Sequence, residues 1–502
     1  MSRPRHAAPR PRAAVRTSAL ISAPILLGGV LVATLPGASA SPAAYAASSL
    51  RHSTAALTAS HTTGTSARSA TTSTATTQTA VAATKAAGTT AAATSSPATT
   101  TGVTRDPATW PAPTVTVSTE AQLVAAIAAA KPGTVIGLNA GTYSGVLTIQ
   151  KSGTSTAPIT LRPVGNAAVT LTATLPMPSC GATGPDANRT IRMMQGSSYW
   201  NFLGLNIRGG ALISSYGAQY AQNWFSAKVN ANDWQARRAV PGRSTNDPTA
   251  GRGALAYVAK VSGHTITPST GVSFINNTIT VKGIMARAAV SGIIAGNTVT
   301  NIACGTSPAI WLSTFSDYWQ IVGNDVSNVA HSTASHYMEE GIRLGNSSAY
   351  DIIMQNNVHN LAALGRGIAT DQDSSFNLIQ QNTASYVYVG YNDEMSGWGN
   401  RWLSNTVTNY TNAGFSMRMA DGKFTTPQMN SSTNGVIVKC NKATGAQDFQ
   451  AGGMMNATIA SNAFTHVFLG KNLRGYFGAQ GNTWNGSKTT PGTTVVGSLT
   501  GC

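Results

Sequence analysis

Short apolar runs separated by turns rich in glycine, serine and asparagine recur through the second half of the chain. Each run is followed by Asn, one variable residue and a usually apolar residue. The repeat is found nine times, at Asn277, Asn297, Asn324, Asn356, Asn382, Asn405, Asn441, Asn462 and Asn482, with spacings of 20 to 36 residues. The shortest spacing fits one coil of three short strands, and the longer ones imply inserted loops. The pattern predicts an all-β solenoid, a right-handed parallel β-helix.

Two other repeat folds fit the pattern less well. A leucine-rich repeat needs a strict leucine spacing and a regular helical half, and a propeller needs longer and more uniform blades. The anchor asparagines themselves are interpreted as structural. Asn tolerates left-handed backbone, and its amide can bond the copy one coil above, so we expect a ladder of asparagines rather than a set of ligands.

The ordered body is predicted to begin near Pro113 and to extend to Cys502. A strand at 114–117 is followed by an N-cap at 118–119 and by a helical run from Gln122 to Ala130, which ends at Lys131-Pro132-Gly133. Strand-like segments follow at 134–138, 141–143, 145–150 and 157–163. A long insertion is expected at about 209–270, either as a wall of a binding groove or as a loop that covers the solenoid.

The first 112 residues differ from the body in composition. Arginines precede an apolar run at 19–33 and the small-residue motif Ala38-Ser39-Ala40, a pattern typical of a signal peptide over residues 1–40. A membrane anchor is the alternative, disfavoured because Pro24 and a glycine pair interrupt the run. Residues 41–112 are dominated by Ser, Thr, Ala and Gly and predict a disordered stalk, either glycosylated or a plain spacer. The protein is therefore expected to be secreted, with association to the cell wall as a further option.

Charge and cysteine content narrow the possible partners. Of 33 basic residues, nine precede residue 106 where no acid occurs, leaving 24 basic against 16 acidic residues in the remainder. This surface suits an acidic glycan or an anionic cell wall, whereas no nucleic-acid-binding motif is present. The four cysteines are widely spaced, and we expect the disulfides Cys440–Cys502 and Cys180–Cys304. We expect a monomer that has no membrane contact after signal cleavage.

Alignment on the anchors superimposes five strands, at 309–313, 341–345, 367–371, 390–394 and 414–418. The second and fourth places are mainly apolar, so alternation directs the third and fifth outward. The third place holds Trp311, Arg343, Ala369, Asn392 and Ser416, and the fifth holds Ser313, Gly345, Asp371, Glu394 and Arg418. Charges are thus predicted to gather on one surface, which we call the charged face. Arg343 should lie one coil from Asp371 and one column across.

The charged face has two possible interpretations: a solvated surface stabilised by ion pairs, or a functional groove. Stacked opposite charges would stabilise a solvated sheet by about 0.2 to 1 kcal/mol per pair. We favour a groove, because eight of the 16 acids lie between 339 and 421 and aromatic residues suited to sugar rings border the face. The flanking candidates are Trp311, Trp398, Tyr388, Tyr391, Arg366, Asp373, Lys423 and His336.

The cap, the coils and the asparagine anchors together resemble secreted β-helix polysaccharide-active proteins, especially pectate lyases and alginate lyase or chondroitinase B-like lyases. The resemblance covers about Thr114 to Cys502. In such lyases, Ca²⁺ or basic side chains neutralise the carboxylate of an acidic sugar, Lys or Arg removes the C5 proton, and the 4-linked chain leaves by β-elimination. The motif of polygalacturonase-like hydrolases, Asn-Thr-Asp with a downstream Gly-His-Gly, is absent from the sequence.

The resemblance implies roles for the residues of the charged face. Arg418, Arg343 and Lys423 are expected as base and carboxylate neutraliser. Ca²⁺ ligands are expected at Glu340, Asp371, Asp373 and Glu394, and substrate contacts at Trp311, Asn392, Tyr391, Trp398, Arg366 and His336. Two alternatives stay open: a glycoside hydrolase that uses two of Asp371, Asp373, Asp393 and Glu394, and a noncatalytic glycan-binding or cell-wall protein.

Overall fold

Parallel strands stacked coil upon coil make up the body. The computed structural model describes residues 110–173, 190–194, 197–213, 269–281, 283–287, 289–302, 308–313, 316–330, 339–345, 348–361, 364–371, 374–393, 398–418, 435–452, 454, 456–469, 481–487 and 502. At residues 287, 418, 452 and 469, and in the short strands between 219 and 266, only the backbone is described. The predicted signal peptide and all but the last three residues of the predicted stalk lie outside the described residues.

Sheet 1 contains one strand from each coil. Its 14 strands are Val115–Val117, Val135–Leu138, Ile159–Pro163, Trp200–Leu203, Gln219–Ala221, Ser273–Ile275, Ile293–Ala295, Gln320–Val322, Ile352–Met354, Leu378–Gln380, Arg401–Leu403, Ile437–Lys439, Thr458–Ala460 and Thr483–Trp484. Each strand pairs in parallel with the next one along the chain, as Ile293 with Gln320 and Gln320 with Ile352.

Sheet 2 supplies the other two sides of each coil. Its 21 strands are Gly141–Ser144, Leu147–Ile149, Val169–Thr172, Ile191–Met193, Asn206–Arg208, Ala211–Ile213, Trp224–Phe225, Val229–Asn230, Thr278–Ile279, Ile284–Arg287, Thr298–Ile302, Ile310–Ser313, Asp325–Val329, Ile342–Gly345, Asn357–His359, Arg366–Thr370, Thr383–Asp393, Thr406–Arg418, Lys442–Thr444, Phe449–Gly452 and Val467–Leu469. Thr383–Asp393 and Thr406–Arg418 continue through both sides and join them. All the pairings within sheets 1 and 2 are parallel, and parallel crossovers are right-handed in nearly every protein. The predicted right-handed parallel β-helix is confirmed. The predicted insertion at 209–270 is wrong in its first part, which supplies strands to both sheets at Ala211–Ile213, Gln219–Ala221, Trp224–Phe225 and Val229–Asn230. An antiparallel hairpin, Ala259–Val261 with His264–Ile266, lies in its second part.

A ten-residue helix, Glu120–Ala129, precedes the second strand of sheet 1. Its N-cap is Thr119, whose hydroxyl accepts a hydrogen bond from Gln122 N, while Gln122 Oε1 accepts from Ser118 N. This reciprocal pair satisfies two backbone donors at the helix start. Leu123 and Ile127 bury one side of the helix in the hydrophobic core. Among the described residues, no helix is long and apolar enough to cross a membrane.

The first place of the aligned strands is held by a column of glycines, for a steric reason. A Cβ built on Gly367 would lie 2.4 Å from Gly390 O, and one on Gly390 would lie 2.6 Å from Gly414 O. Only a residue without a side chain allows the backbones of successive coils to approach this closely. The glycines therefore set the coil spacing at the entry to the charged face.

We expect Gly367→Ala to destabilise the fold by about 1 to 3 kcal/mol, because the added methyl group overlaps a backbone carbonyl that is fixed by the next coil. Chemical denaturation measures the change. Gly345→Ala is the control for loss of glycine at a position with ordinary contacts, since the nearest described atoms to its ideal Cβ are Arg343 Nε at 3.4 Å and Trp311 Nε1 at 3.5 Å. Equal losses in the two variants would contradict the steric explanation.

The anchor asparagines form a hydrogen-bonded ladder inside the turns. Asn324 Nδ2 donates to Asn356 Oδ1 over 2.8 Å, and Asn356 Nδ2 donates to Asn382 Oδ1 over 2.9 Å. The same contacts link all eight anchors from Asn277 to Asn462. The structural interpretation is confirmed, with one change. The left-handed residue is the one before each anchor, such as Gln355 with φ 57°.

The ninth anchor, Asn482, was assigned to the wrong column. Thr458 pairs with Thr483, so Asn482 directly precedes a strand of sheet 1 rather than following one. Its equivalents are Asn377 and Asn400, which precede Leu378 and Arg401. The 20-residue spacing from Asn462 to Asn482 thus joins two different ladders. Periodicity in the sequence could not separate them, because both use Asn at a turn.

Asp351 belongs to this second ladder and is fully buried. Its Oδ1 accepts from Trp319 N over 2.8 Å, whereas its Oδ2 has no hydrogen-bond partner among the described residues. In Asn377 and Asn400, the side-chain nitrogen donates to a backbone carbonyl of the coil before. Burial raises the pKa of Asp351 well above its ordinary value, the neighbouring Asp317 raises it further, and the bond from Trp319 N opposes the shift.

We expect Asp351→Asn to stabilise the fold by about 1 to 2 kcal/mol at neutral pH. Because the folded state raises the pKa of this acid, it retains a proton that the unfolded chain loses above about pH 4. The wild type therefore loses stability as pH rises above that point, and the amide does not. Unfolding measured from acid to neutral pH should show the gain growing with pH. A gain that is constant with pH would contradict the assigned protonation.

The disulfide Cys440–Cys502 is present, as expected, and ties the chain end to sheet 1 over a separation of 62 residues. The second expected disulfide, Cys180–Cys304, lies outside the described residues. Cys440 directly follows the strand Ile437–Lys439 and precedes the ladder residue Asn441. The bridge thus holds the C-terminus beside the last coils of the solenoid.

Candidate functional site

Strand pairing confirms the register that defines the charged face. In the inward second place, Ile310, Ile342, Ile368, Tyr391 and Phe415 are successive partners. In the outward third place, Trp311, Arg343, Ala369, Asn392 and Ser416 are successive partners, followed by Gln450. Residues more than 100 positions apart in sequence therefore share one column.

Arg343 is the centre of the charged face. Its Nη1 lies 3.2 Å from Glu340 Oε1, and its Nη2 forms a close ion pair with Asp371 Oδ2. All three side chains are at least 94% buried. Glu340 comes from the turn that enters the strand Ile342–Gly345, and Asp371 follows the strand of the next coil. The predicted proximity of Arg343 and Asp371 is observed, and Glu340 completes an ionic triad.

The guanidinium also packs on an aromatic ring. The Arg343 Cζ lies 5.7 Å from the centroid of the Trp311 ring, one coil away. This cation–π contact and two carboxylates hold the side chain in one orientation. The guanidinium is thus already engaged by two carboxylates and a ring. The predicted role of Arg343 as base or carboxylate neutraliser stays a prediction.

Gly345 leaves space at the outward fifth place beside Arg343. A Cβ built on Gly345 would lie 3.4 Å from Arg343 Nε and 3.5 Å from Trp311 Nε1, and no other atom of the described residues lies within 4 Å. Two N–H groups from different coils thus border one small space. An oxygen atom placed there would accept hydrogen bonds from both.

Three polar atoms of the same column are buried without a hydrogen-bond partner in the described part of the chain. They are Trp311 Nε1, Asn392 Nδ2 and Ser416 Oγ. Buried donors are normally satisfied, and each unsatisfied one costs about 1 to 3 kcal/mol. Three such donors along one outward column point to a ligand that carries acceptors. Ser416 was not among the predicted contact residues, although its place in the aligned column was the signal that could have identified it.

The prediction that Tyr391 contacts substrate is wrong. Tyr391 is fully buried in the core, where its ring stacks on Phe415 at 4.7 Å between centroids. Its hydroxyl donates to Asn382 O over 2.8 Å or to Thr406 O over 2.9 Å. Burial raises the pKa of this phenol well above its ordinary value. Tyr391 occupies an inward place of its strand, so the alternation rule already excluded it from the outer face.

Asp393 is also an inward residue, which removes it from the glycoside-hydrolase alternative. Its carboxylate accepts hydrogen bonds from Trp402 Nε1 over 2.9 Å and from Asn400 Nδ2 over 3.1 Å. Asp393 is fully buried and pairs with Met417 and Thr370 in neighbouring coils. Its oxygens therefore serve the interior of the solenoid and do not reach a substrate on the charged face.

The other predicted site residues fall into two groups. Arg366 is half-buried and begins the strand Arg366–Thr370. Trp398 is also half-buried and lies in the turn before the sheet 1 strand Arg401–Leu403, where its backbone N–H donates to Ser375 Oγ. The side chain of Arg418 and the residues Lys423, His336, Asp373 and Glu394 lie outside the described residues. Their predicted roles stay predictions.

The described residues alone do not make a calcium site. Of the four predicted ligands, only Glu340 and Asp371 are described, and the Arg343 guanidinium bridges them. No group of three or more His, Cys, Asp or Glu side chains suited to a metal occurs in the described part of the chain. The guanidinium supplies the positive charge that a cation would otherwise supply between these two carboxylates.

Comparison with known proteins gives similarity at the level of solved structures. The chain is similar to an alginate lyase from Paenibacillus sp. str. FPU-7, with 17% identity, a TM-score of 0.32, and coverage of 70% of this chain and 95% of that one. It is similar to a rhamnogalacturonan lyase (13% identity, TM-score 0.38, coverage 70% and 89%) and to pectate lyase Pel9A (14%, 0.29, 73% and 75%). No protein-family model matches the chain, and no curated protein matches it.

Proposed function

We propose that the charged face binds an acidic polysaccharide and that the protein is a polysaccharide lyase. The observation that carries the proposal is the buried Arg343, held by Glu340 and Asp371 against Trp311. Its column holds three donors that have no acceptor among the described residues. Such a column fits a chain that presents an acceptor oxygen at several successive sugars. The carboxylates of uronic acids are acceptors of this kind.

The elimination requires three actions on the substrate. The sugar carboxylate must be neutralised so that the C5 proton becomes acidic, a base must take that proton, and the bond from C4 to the leaving oxygen must break as the C4–C5 double bond forms. We assign carboxylate binding to the space above Gly345, where Arg343 Nε and Trp311 Nε1 meet. We assign proton removal to Arg418 or Lys423, because Arg343 is already held by Glu340 and Asp371.

A second cation is needed beside Arg343. Glu340 and Asp371 together carry one negative charge more than the arginine neutralises, so a substrate carboxylate would be repelled without further positive charge. Arg418 follows Met417 at the end of the strand Thr406–Arg418, three coils along from the strand of Arg343, and is the cation predicted for the outward fifth place. Calcium is the alternative source of charge, with Asp373 and Glu394 as the further ligands, and it would acidify the C5 proton when bound. Loss of activity on chelation, restored by calcium, would support it.

The proposed place of action is outside the cell. The basic, apolar and small-residue segments of residues 1–40 support export, and the disulfide Cys440–Cys502 suits an oxidising compartment. Detection of the protein in the culture medium with its N-terminus at Ser41 or close to it would support secretion. Retention in the cytosol with Met1 intact would contradict it.

Incubation with polyuronates and with neutral glycans tests the reaction. We expect an unsaturated uronate product, detected by its ultraviolet absorbance, from an acidic glycan only. New reducing ends without that absorbance would indicate hydrolysis, and binding without either product would indicate a noncatalytic protein. Both results contradict the lyase.

Gly345→Ala is the sharpest variant for this assay. Its methyl group would occupy the space between Arg343 Nε and Trp311 Nε1 at ordinary contact distances, so the fold and every charge should be retained. We expect the KM for the acidic glycan to rise at least about tenfold, as one charged contact is displaced. An unchanged KM would contradict the assigned carboxylate position without excluding lyase activity elsewhere on the face.

A further inference from the structure

The outward side chains of sheet 1 are mostly aliphatic along the middle of the solenoid. One outward column runs Ile293, Gln320, Ile352, Leu378, Arg401 and Ile437. The other runs Ala295, Val322, Met354, Gln380, Leu403 and Lys439. All twelve side chains retain solvent exposure. We call this surface the aliphatic face; Ile275 and Ala460 extend it at its two ends.

The neighbouring side of the solenoid shows the ordinary alternative. Its outward places hold Thr298, Asn357, Thr383, Thr406 and Lys442, as expected for a sheet that meets water. Sheet 1 departs from this alternation over six consecutive coils. A contiguous, partly exposed apolar surface of this kind is typical of an interaction site.

The composition of the aliphatic face favours a protein partner over a glycan. Sugars pack on the open faces of aromatic rings, whereas the side chains here are Ile, Leu, Val and Met. In the nearby aromatic column, Tyr318, Tyr350 and Phe376 stack on one another at 5.3 Å between centroids, so the ring faces between them are already covered. Aliphatic surfaces pack best on other aliphatic surfaces.

We propose that the aliphatic face is a dimer interface between two copies of this chain. Eight strands spaced about 4.8 Å apart give a surface roughly 35 Å long, and two outward columns with the flanking aromatic stack give a width of roughly 16 Å. Each copy would bury on the order of 600 Å², about 1,200 Å² in total, which reaches the lower range of specific interfaces. The sequence alone predicted a monomer. The aliphatic face is not visible in the sequence, because its side chains form a continuous surface only when the coils stack.

Charge fixes the relative direction of the two copies. Arg401 and Lys439 lie toward one end of the aliphatic face, and neither of its two columns contains an acidic side chain. Parallel copies would place these cations against their own copies, which is repulsive. An antiparallel twofold arrangement instead places them near the Ile275 end of the partner. Such a twofold contact is closed and stops at the dimer.

The test measures the oligomeric state of the full chain by sedimentation equilibrium over a range of concentrations. We expect a monomer–dimer equilibrium and at least about a hundredfold weaker dimerisation for Met354→Glu, which places a charge near the centre of the interface. Asn357→Glu, on the neighbouring polar side, is the matched control and should dimerise as the wild type does. A wild-type monomer at every concentration, or equal dimerisation of the two variants, would overturn the proposal.

Cysteine cross-linking keeps the proposal testable if Met354→Glu does not fold. In an antiparallel dimer, a mixture of Ile275→Cys and Ala460→Cys chains should form a cross-linked heterodimer under mild oxidation. Either variant alone should cross-link poorly, because its cysteines lie at opposite ends. Efficient cross-linking of Ala460→Cys with itself would overturn the antiparallel arrangement, and so would no cross-linking in the mixture.

Discussion

Replacing Asn356 with Ala should lower the free energy of unfolding by about 3 to 5 kcal/mol, because several buried partners lose their bonds together. Asn356 Oδ1 accepts from the backbone N and the Nδ2 of Asn324, and Asn356 Nδ2 donates to Ile321 O and Asn382 Oδ1. Three of these bonds join the coil of Asn356 to the preceding coil, and the fourth joins it to the following coil. Equilibrium denaturation, followed by circular dichroism, measures the loss.

Asn357→Ala is the matched control, one residue along the chain. Asn357 is exposed, and its Nδ2 donates to Asp325 Oδ1 on the surface. We expect a change within about 0.5 kcal/mol, as for most surface substitutions. Similar losses in both variants would show that the buried ladder contributes no more than an exposed contact.

Replacing Arg343 with Met should reduce lyase activity about a hundredfold or more, by removing a charge that faces the reacting carboxylate. The same variant should be less stable by about 3 to 5 kcal/mol, because Glu340 and Asp371 would be left as buried charges without their cation. The assay is the initial rate on the acidic glycan that the wild type cleaves. The unfolding free energy is measured on the same preparation.

Two further variants separate the loss of function from the loss of stability. The triple variant Glu340→Gln, Arg343→Met, Asp371→Asn removes all three charges and should recover most of the stability while staying inactive. Recovery of activity with stability would show that the triad is only structural. Lys442→Met removes an exposed cation from the polar side and should change neither quantity.

The sequence could locate the charged face because the period of the coil and the alternation within a strand are local properties. Aligning the anchors placed Trp311, Arg343, Asn392 and Ser416 in one outward column, and the strand pairing is the same. The same alternation places Tyr391 inward. Its predicted contact with substrate rested on the affinity of aromatic rings for sugars, which requires a ring on the outer surface.

The partners of each side chain could not be predicted in the same way. Glu340 lies outside the repeated strand, yet its carboxylate reaches Arg343, three residues further along the chain. Asp393 is an aspartate like Asp371, yet its side chain points inward. There its carboxylate accepts hydrogen bonds from Asn400 and Trp402. Such contacts depend on how each turn folds, and no period describes them.

The sequence by itself determined the all-β solenoid, the asparagine ladder from Asn277 to Asn462 and the side of the coil that carries charge. These follow from hydrogen-bonding groups and apolar residues that recur at fixed places in each coil. Stacking of the coils decided the rest: that Asn482 belongs to a second ladder, that Arg343 is enclosed by two carboxylates and a tryptophan, and that sheet 1 presents an aliphatic face. Each of these is a relation between coils, set where segments 20 or more residues apart come into contact at a spacing of about 4.8 Å.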